Sequence, residues 1–190
     1  MNRRLLAASV GAALVISIAG GWAISRGGDS DDGDTITYDS AVVEQIPSIG
    51  TNAEVSGDPL PDVMLLDNDG NDVPLLSLTG TPMVINFWYS TCGPCKTELS
   101  SFGAVHADLG DQVRFIGVNP YDDPDVNISF AAERGVHYEL YRDPDGVYGR
   151  AVGIATAPVT LFVAADGTIV RQTGQLDQDE LTQIIQDELL

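Results

Sequence analysis

Residues 86–102 read NFWYSTCGPCKTELSSF and contain both cysteines of the chain, Cys92 and Cys95. Just before the cysteines, Met83 to Trp88 form a short apolar run with β-branched and aromatic side chains, which predicts a buried strand. After them, a helical spacing of apolar residues runs up to a glycine stop: Cys95, Leu99, Phe102, Val105, Leu109 and Gly110. The cysteines are therefore predicted at the junction of a strand and a helix.

Three roles are compatible with a lone CxxC pair. A structural disulfide across two intervening residues closes almost no loop, so it would stabilise the fold little. A zinc site usually needs four ligands, and the two histidines, His106 and His137, lack the spacing of a zinc-binding pair. Copper(I) needs fewer soft ligands, so a copper-binding module that uses the CxxC and one histidine stays an alternative.

Thiol-disulfide exchange is the third role and has a mechanical basis. At the start of a helix, free N–H groups and the helix dipole would stabilise a thiolate on Cys92. Pro94 fits the first turn, where its missing N–H costs nothing. Cys95 lies one turn further in, so we expect an exposed attacking thiol at Cys92 and a covered resolving thiol at Cys95.

The rest of the chain predicts an α/β fold. The segments that follow the pattern of a strand or helix are a hairpin at 63–66 and 73–75, a strand at 113–118, a helix at 123–135, a short strand at 138–141, a helical turn at 148–152, a hairpin at 159–164 and 168–173, and a final helix after Asp177 with a capping box at Glu180. This order predicts a central mixed sheet with helices on both faces.

Charge is strongly asymmetric along the chain. The first 26 residues hold Arg3, Arg4 and Arg26 and no acid, whereas the remainder holds all 28 acids against 6 bases. An acidic surface without a basic patch repels phosphate backbones, so nucleic-acid binding is excluded as a function class.

The N-terminus predicts export. The uncharged run from Leu5 to Ile24 is 20 residues long, which matches the hydrocarbon core of a bilayer, and the preceding arginines predict a cytoplasmic N-terminus. We expect a single-pass signal-anchor over residues 1–26, an acidic flexible linker over 27–57 and an extracytoplasmic domain over 58–190; a cleaved signal peptide is the alternative. Export places the cysteines where disulfides are permitted.

The segment around the cysteines resembles the active site of thioredoxin-fold proteins, and is most similar to the membrane-anchored TlpA/ResA-like thiol-disulfide oxidoreductases of the redoxin group. The resemblance extends over about residues 58–190 and includes PLPDVMLLDNDGNDVPL, FW before the cysteines and APVTLFVAADGTIV. It implies a thioredoxin-like fold with an N-terminal hairpin and an inserted strand-helix segment.

The resemblance also implies roles for individual residues. Cys92 is the implied nucleophile, Cys95 the resolving thiol, and Glu98 an acid near the thiols that handles protons; an exposed helix glutamate is the alternative for Glu98. Pro158 matches a cis-proline beside the active site, where a client strand would pair with the backbone. The implied client-binding residues are Trp88, Thr91, Gly93, Pro94, Ala157 and Pro158.

Three positions depart from the residues that are common in thioredoxin-fold proteins. Thr91 replaces a common tryptophan, and Ala157 replaces a larger residue before the proline. Asn86 stands where cytosolic thioredoxins bury an aspartate, which leaves Glu98 as the proton handler. A peroxiredoxin-type peroxidase is a further alternative, but Tyr89 stands where its site requires a threonine.

The resemblance implies a protein-disulfide reductase without a cofactor. Its implied clients are apocytochrome c, before haem attachment, or copper-site proteins. A membrane thiol-electron transporter is the implied reductant.

Overall fold

The computed structural model of the protein describes residues 51–190. The segment predicted as a membrane anchor, residues 1–26, and most of the predicted linker lie outside the described residues. Within 51–190, no helix combines the length and the apolar character needed to cross a bilayer.

A seven-stranded mixed sheet forms the centre of the fold. Its strands are β1 (Met64–Leu66), β2 (Asp72–Pro74), β3 (Met83–Phe87), β4 (Arg114–Asn119), β5 (Glu139–Arg142), β6 (Val159–Val163) and β7 (Ile169–Thr173). The spatial order is β2-β1-β5-β4-β3-β6-β7. β3, β4 and β5 are parallel, and β6 pairs antiparallel with both β3 and β7. The mixed sheet and both predicted hairpins are confirmed.

Within residues 51–190, a 3-10 turn and three α-helices connect the strands, and a fourth α-helix follows β7. They are the 3-10 turn Leu75–Leu78 and the helices α1 (Gly93–Leu109), α2 (Pro124–Ala132), α3 (Val147–Ala151) and α4 (Gln178–Glu188). α4 begins with the predicted capping box between Asp177 and Glu180. α2 ends three residues before the predicted Gly135, because the Val136 N–H returns to the Ala131 carbonyl and Gly135 takes a φ of +74°.

The sheet separates two apolar cores because successive side chains of a strand point to opposite faces. In β3, Met83, Ile85 and Phe87 belong to one core, which contains Tyr148 of α3. Val84 and the following Trp88 belong to the other core, which lies under α1 and α4. Asn86 shares the parity of Val84 and Trp88, so its side chain points toward α1.

The folded domain begins earlier than the predicted boundary at Asp58. Val55 is buried in the core that contains Tyr148. The Ala53 N–H donates to the Gly153 carbonyl, and the Asn52 side chain accepts hydrogen bonds from the backbone N–H groups of Ala155 and Thr156. The local composition places residues 51–57 in a flexible linker, but their partners lie about 100 residues away in the sequence, and local composition does not reveal such partners.

Candidate active site

One edge of the sheet collects the predicted site residues. The carboxyl ends of parallel strands meet at the same edge, so the loops that follow β3, β4 and β5 are neighbours there. β6 begins at this edge because it runs antiparallel to β3, with Phe87 opposite Val159. The topology therefore brings the cysteine segment close to the Ala157–Pro158 dipeptide.

The two cysteines form a disulfide at the start of α1, with their Cα atoms 5.3 Å apart. Cys92 is the N-cap residue, and the Cys95 backbone N–H donates to the Cys92 sulfur at 3.2 Å. Pro94 lies in the first helical turn, as predicted. The helix therefore directs an N–H group at the sulfur that is expected to become the thiolate.

The exposure of the cysteines differs from the expectation. Cys92 exposes 5% of its surface and Cys95 none, so the asymmetry has the predicted direction but Cys92 is not an open thiol. In the disulfide, the Cys92 side chain turns toward Cys95 and packs in the core under α1. Its immediate neighbours Thr91, Gly93 and Pro94 are exposed, as expected of residues that contact a client.

Glu98 is buried, with 1% of its surface exposed, so the alternative of an exposed helix glutamate is wrong. It lies one turn after Cys95 on the same side of α1. The Asn86 amide donates to its Oε1 at 2.8 Å, and the Leu176 backbone N–H donates to its Oε2 at 3.3 Å. Burial outweighs these two hydrogen bonds and raises the pKa of Glu98 to about 7, so the carboxyl group exchanges a proton near neutral pH.

Asn86 connects Glu98 to the strand that follows the cis-proline. Its amide nitrogen also donates to the Thr160 hydroxyl at 3.1 Å. Thr160 is directly opposite Asn86 in the β3–β6 register and is fully buried. Sequence reasoning missed Thr160 and Leu176, because their link to Glu98 depends on the pairing of distant segments.

Trp88 does not lie where a client could reach it. The side chain is fully buried and stacks on Phe130 at a ring separation of 5.8 Å. Trp88 follows β3 on the face covered by helices, so the prediction of a client contact at this residue is wrong. Its role is to pack β3 against α2.

The Ala157–Pro158 peptide bond is cis, as the resemblance implied. Pro158 is buried, whereas Ala157 is partly exposed and packs against both cores. The preceding residues Ala155 and Thr156 are exposed and hold the Asn52 side chain. Of this dipeptide, Ala157 is thus the residue with surface available to a client.

A hydrogen-bonded clamp, which sequence reasoning missed, joins the loops after β3 and β4. The Asp122 carboxylate accepts from the Ser90 backbone N–H at 2.7 Å, from the Ser90 hydroxyl at 2.6 Å and from the Asn119 amide at 2.7 Å. The Asn119 side-chain oxygen in turn accepts the N–H groups of Tyr121 and Asp122. The clamp holds the residues just before Cys92 in place.

Of the two histidines, His106 packs against aromatic rings and His137 is exposed. His106 makes edge-to-face contacts with Phe115 and Tyr138, each at a ring separation of 5.4 Å. Among residues 51–190, no cluster of three or more His, Cys, Asp or Glu side chains converges as metal ligands would.

Comparison with known proteins agrees with this site. The profile of the AhpC/TSA family matches residues 56–172. The thiol:disulfide interchange protein DsbE of Escherichia coli K12 is 30% identical over 182 residues, which cover 93% of this chain and 89% of DsbE. The thiol-disulfide oxidoreductase ResA of Geobacillus thermodenitrificans is 26% identical over 130 residues, which cover 67% of this chain and 74% of ResA.

A solved structure supports the same assignment. The secreted disulfide oxidoreductase of Mycobacterium tuberculosis, described as homologous to Escherichia coli DsbE, superposes with a TM-score of 0.58 at 27% identity, covering 66% of this chain and 96% of that one. Together with the cysteine pair at the start of α1, these matches confirm the resemblance drawn from the sequence: the chain belongs to the AhpC/TSA family and is a thiol-disulfide oxidoreductase with a thioredoxin-like fold.

Proposed function

We propose that the protein is a membrane-anchored, extracytoplasmic reductase of client-protein disulfides, in which Cys92 is the attacking thiol. The observation that carries this proposal is the Cys95 N–H directed at the Cys92 sulfur at the N-terminus of α1. A backbone donor and the positive end of a 17-residue helix stabilise negative charge on that sulfur.

The reaction balances over two exchange steps. The Cys92 thiolate attacks one sulfur of the client disulfide, the client S–S bond breaks, and the released client thiolate takes a proton from solvent. The Cys95 thiol then loses its proton, attacks the Cys92 sulfur and releases the second client thiolate. The client gains two electrons, and the protein ends with the Cys92–Cys95 disulfide seen in the structure.

Glu98 is the proposed proton acceptor in the second step. A carboxyl group whose pKa burial raises to about 7 is partly ionised at neutral pH, so it can take up the Cys95 proton and later release it. Asn86 and Leu176 orient the carboxyl group through their hydrogen bonds.

The proposed location is the outer face of the cytoplasmic membrane. Its support is the 20-residue uncharged run after Arg3 and Arg4. The prediction is that the full chain fractionates with membranes, and that protease added outside spheroplasts degrades the domain. Release of the domain to the soluble fraction would favour the cleaved signal peptide.

The proposed clients are apocytochrome c or copper-site proteins, and the proposed electron donor is a membrane thiol transporter. The similarity to proteins named thiol:disulfide interchange proteins supports a role in exchange with other proteins. A Cys95→Ser variant should accumulate a mixed disulfide on Cys92, which mass spectrometry of the trapped complex would identify.

Two measurements test the reductase activity and its direction. Cys92→Ser should abolish insulin reduction, while Cys95→Ser should retain the first exchange step only. Equilibration with glutathione or dithiothreitol buffers gives the reduction potential, and we expect it in the range of reducing thioredoxins. A potential near that of strongly oxidising proteins would refute the reductase assignment and leave the exchange chemistry standing.

A further inference from the structure

A cleft beside the cysteine segment has no role in the exchange chemistry described above. Its volume is about 220 Å³, and its walls include Pro120, Tyr121, Pro144, Arg150 and Ile154. Pro120 and Tyr121 follow β4, while Pro144 and Arg150 follow β5. The cleft therefore opens at the same edge of the sheet as the disulfide.

Tyr121 connects this cleft to the active site through direct contacts. Its ring packs edge-to-face on Tyr89 at a separation of 5.0 Å. The Tyr89 carbonyl accepts the Cys92 N–H at 3.1 Å. When the disulfide of a client polypeptide reaches Cys92, the residues that flank the client cysteine thus come close to Tyr121.

Tyr121 is exposed yet held in position. It exposes 75% of its surface, more than any other exposed large hydrophobic side chain in the described part of the chain. The clamp built on Asp122 fixes its backbone, because the Tyr121 N–H donates to Asn119 and Asp122 binds Ser90. A rigid exposed aromatic ring provides contact area at a low entropic cost.

Arg150 supplies a positive charge on the opposite wall. Its guanidinium donates one hydrogen bond, from Nη1 to the Asp145 carbonyl oxygen at 2.7 Å, and is exposed. It forms no ion pair with a carboxylate of residues 51–190, whereas Arg114, Arg134 and Arg171 each do. The Arg150 guanidinium therefore keeps N–H donors available for an incoming hydrogen-bond acceptor.

Asp143 also lies in the cleft wall but forms no ion pair with Arg150. It is buried, and its two carboxylate oxygens accept the N–H groups of Tyr148 and Gly149 at 3.1 and 2.9 Å. These hydrogen bonds commit the Asp143 carboxylate to the start of α3. The cationic group in the cleft wall that keeps N–H donors unused is thus the Arg150 guanidinium.

We propose that the cleft between Tyr121 and Arg150 is a client-recognition subsite that takes a segment flanking the client cysteine, with an Asp or Glu side chain paired to Arg150. Charge complementarity selects this occupant, because the Arg150 guanidinium is a cation without an ion-pair partner among residues 51–190, in a chain that holds 28 acids against 6 bases after Arg26. The acidic surface repels acidic proteins in general. An Asp or Glu of the client is therefore favoured only at the one client position that pairs with Arg150. The inference rests on the proposed reduction of client disulfides.

The test uses the reduced full-length protein and a set of peptides with one intramolecular disulfide. Glu, Gln or Lys occupies, in turn, each of the three positions after the first cysteine. At one position the wild type should reduce the Glu peptide about two- to fivefold faster than the Gln peptide, the range of an exposed ion pair. Second-order rate constants, measured well below saturation, give the comparison.

Three variants locate the effect. Arg150→Gln should remove the preference for Glu, and Arg150→Glu should reverse it in favour of Lys at the same position. Tyr121→Ala should slow reduction of all the peptides, while Tyr121→Phe should not. Arg134→Gln is the matched control: it removes the same charge at the far end of α2, next to Phe130, and should leave the preference intact.

A small neutral disulfide, 2,2′-dithiodipyridine, separates recognition from chemistry. Arg150→Gln and Tyr121→Ala should react with it as fast as the wild type. Equal rates for Glu and Gln peptides at every position, or a preference that survives Arg150→Gln, would overturn the subsite and leave the proposed function standing. A wild type that reacts with dithiodipyridine but reduces no peptide would overturn both.

Discussion

Glu98 lies on α1 one turn after Cys95 and is buried between β3 and the loop before α4. Desolvation disfavours its ionised form more strongly than the Asn86 and Leu176 hydrogen bonds favour it. An amide side chain such as Asn86 carries both a donor and an acceptor, so it suits a neighbour that changes protonation state. An aspartate at this position would add a second buried charge.

The buried acid should make the oxidised protein less stable at high pH. The pKa of Glu98 rises from 4.5 to about 7 in the fold. Its burial therefore costs no stability below pH 4.5, and the free energy of unfolding falls progressively as the pH rises from 4.5 through 7. The full loss above pH 7 is about 3 kcal/mol. Urea unfolding of the oxidised wild type and Glu98→Gln at pH 5 and pH 8 measures it.

The difference between the two proteins is the decisive quantity, since other groups titrate equally in both. Glu98→Gln should gain stability relative to the wild type between pH 5 and pH 8. The oxidised state keeps the cysteines from titrating. A pH-independent difference would mean that Glu98 does not ionise in this range.

The same residue should shape the reactivity of the reduced protein. Ionisation of Glu98 near pH 7 adds a negative charge close to the thiols and opposes thiolate formation, so the alkylation rate of Cys92 should rise with pH in two coupled steps. Glu98→Gln should rise in a single step. Iodoacetamide rates between pH 5 and 9 give the profile, and identical profiles would assign Glu98 a purely structural role.

At the scale of elements, α1 is placed by close contact with the turn after α2. A Cβ on Gly103 would lie 2.6 Å from the Gly135 carbonyl oxygen and 3.0 Å from that of Arg134. Both neighbours are backbone atoms, which cannot rotate away as a side chain would. The absence of a side chain at Gly103 therefore sets how closely α1 approaches the turn at Arg134 and Gly135.

Gly103→Ala should destabilise the protein by about 1–3 kcal/mol, in spite of the better helix propensity of alanine, because the added methyl group forces the helix outward. Ser100→Ala, at an exposed position of the same helix, is the control and should be neutral or slightly stabilising. Thermal unfolding of the oxidised proteins compares them. A stabilised Gly103→Ala would show that the turn at Gly135 yields easily.

At the scale of the molecule, the N-terminal residues of the described unit complete the fold. Val55 fills the core that contains Tyr148, and Asn52 binds the backbone before the cis-proline. Asn52 thus lies beside the active-site edge. Both cores and the whole candidate site lie within residues 51–190.

A fragment of residues 51–190 should fold and reduce insulin, whereas a fragment of residues 58–190 should melt at least about 4 °C lower, since it loses a buried valine and several hydrogen bonds. Calorimetry of the two fragments measures the difference. Val55→Ala in the longer fragment should account for part of it. Equal melting temperatures would show that residues 51–57 add no stability.

The spacing of apolar residues predicted the strand and the helix after Cys92, because burial of one face imposes a period on the sequence. Both hairpins were predicted from turn signals between apolar runs, at 68–70 and 166–167. The resemblance located Cys92, Cys95, Glu98 and Pro158. The prediction was wrong at Trp88, which is a buried packing residue, and the domain start at Asp58 was too late. Both errors concern side chains whose partners are distant in the sequence.

The sequence by itself determined the chemistry of this protein: two cysteines three positions apart at a strand-helix junction, with an acid one turn later. Only the tertiary structure decided the environment of that chemistry. The burial that raises the pKa of Glu98 requires β3 and the loop before α4 to close over α1, and the clamp at Asp122 requires two parallel strands to end side by side. Desolvation and hydrogen bonding depend on which surfaces meet, and long-range pairing of the chain sets those surfaces.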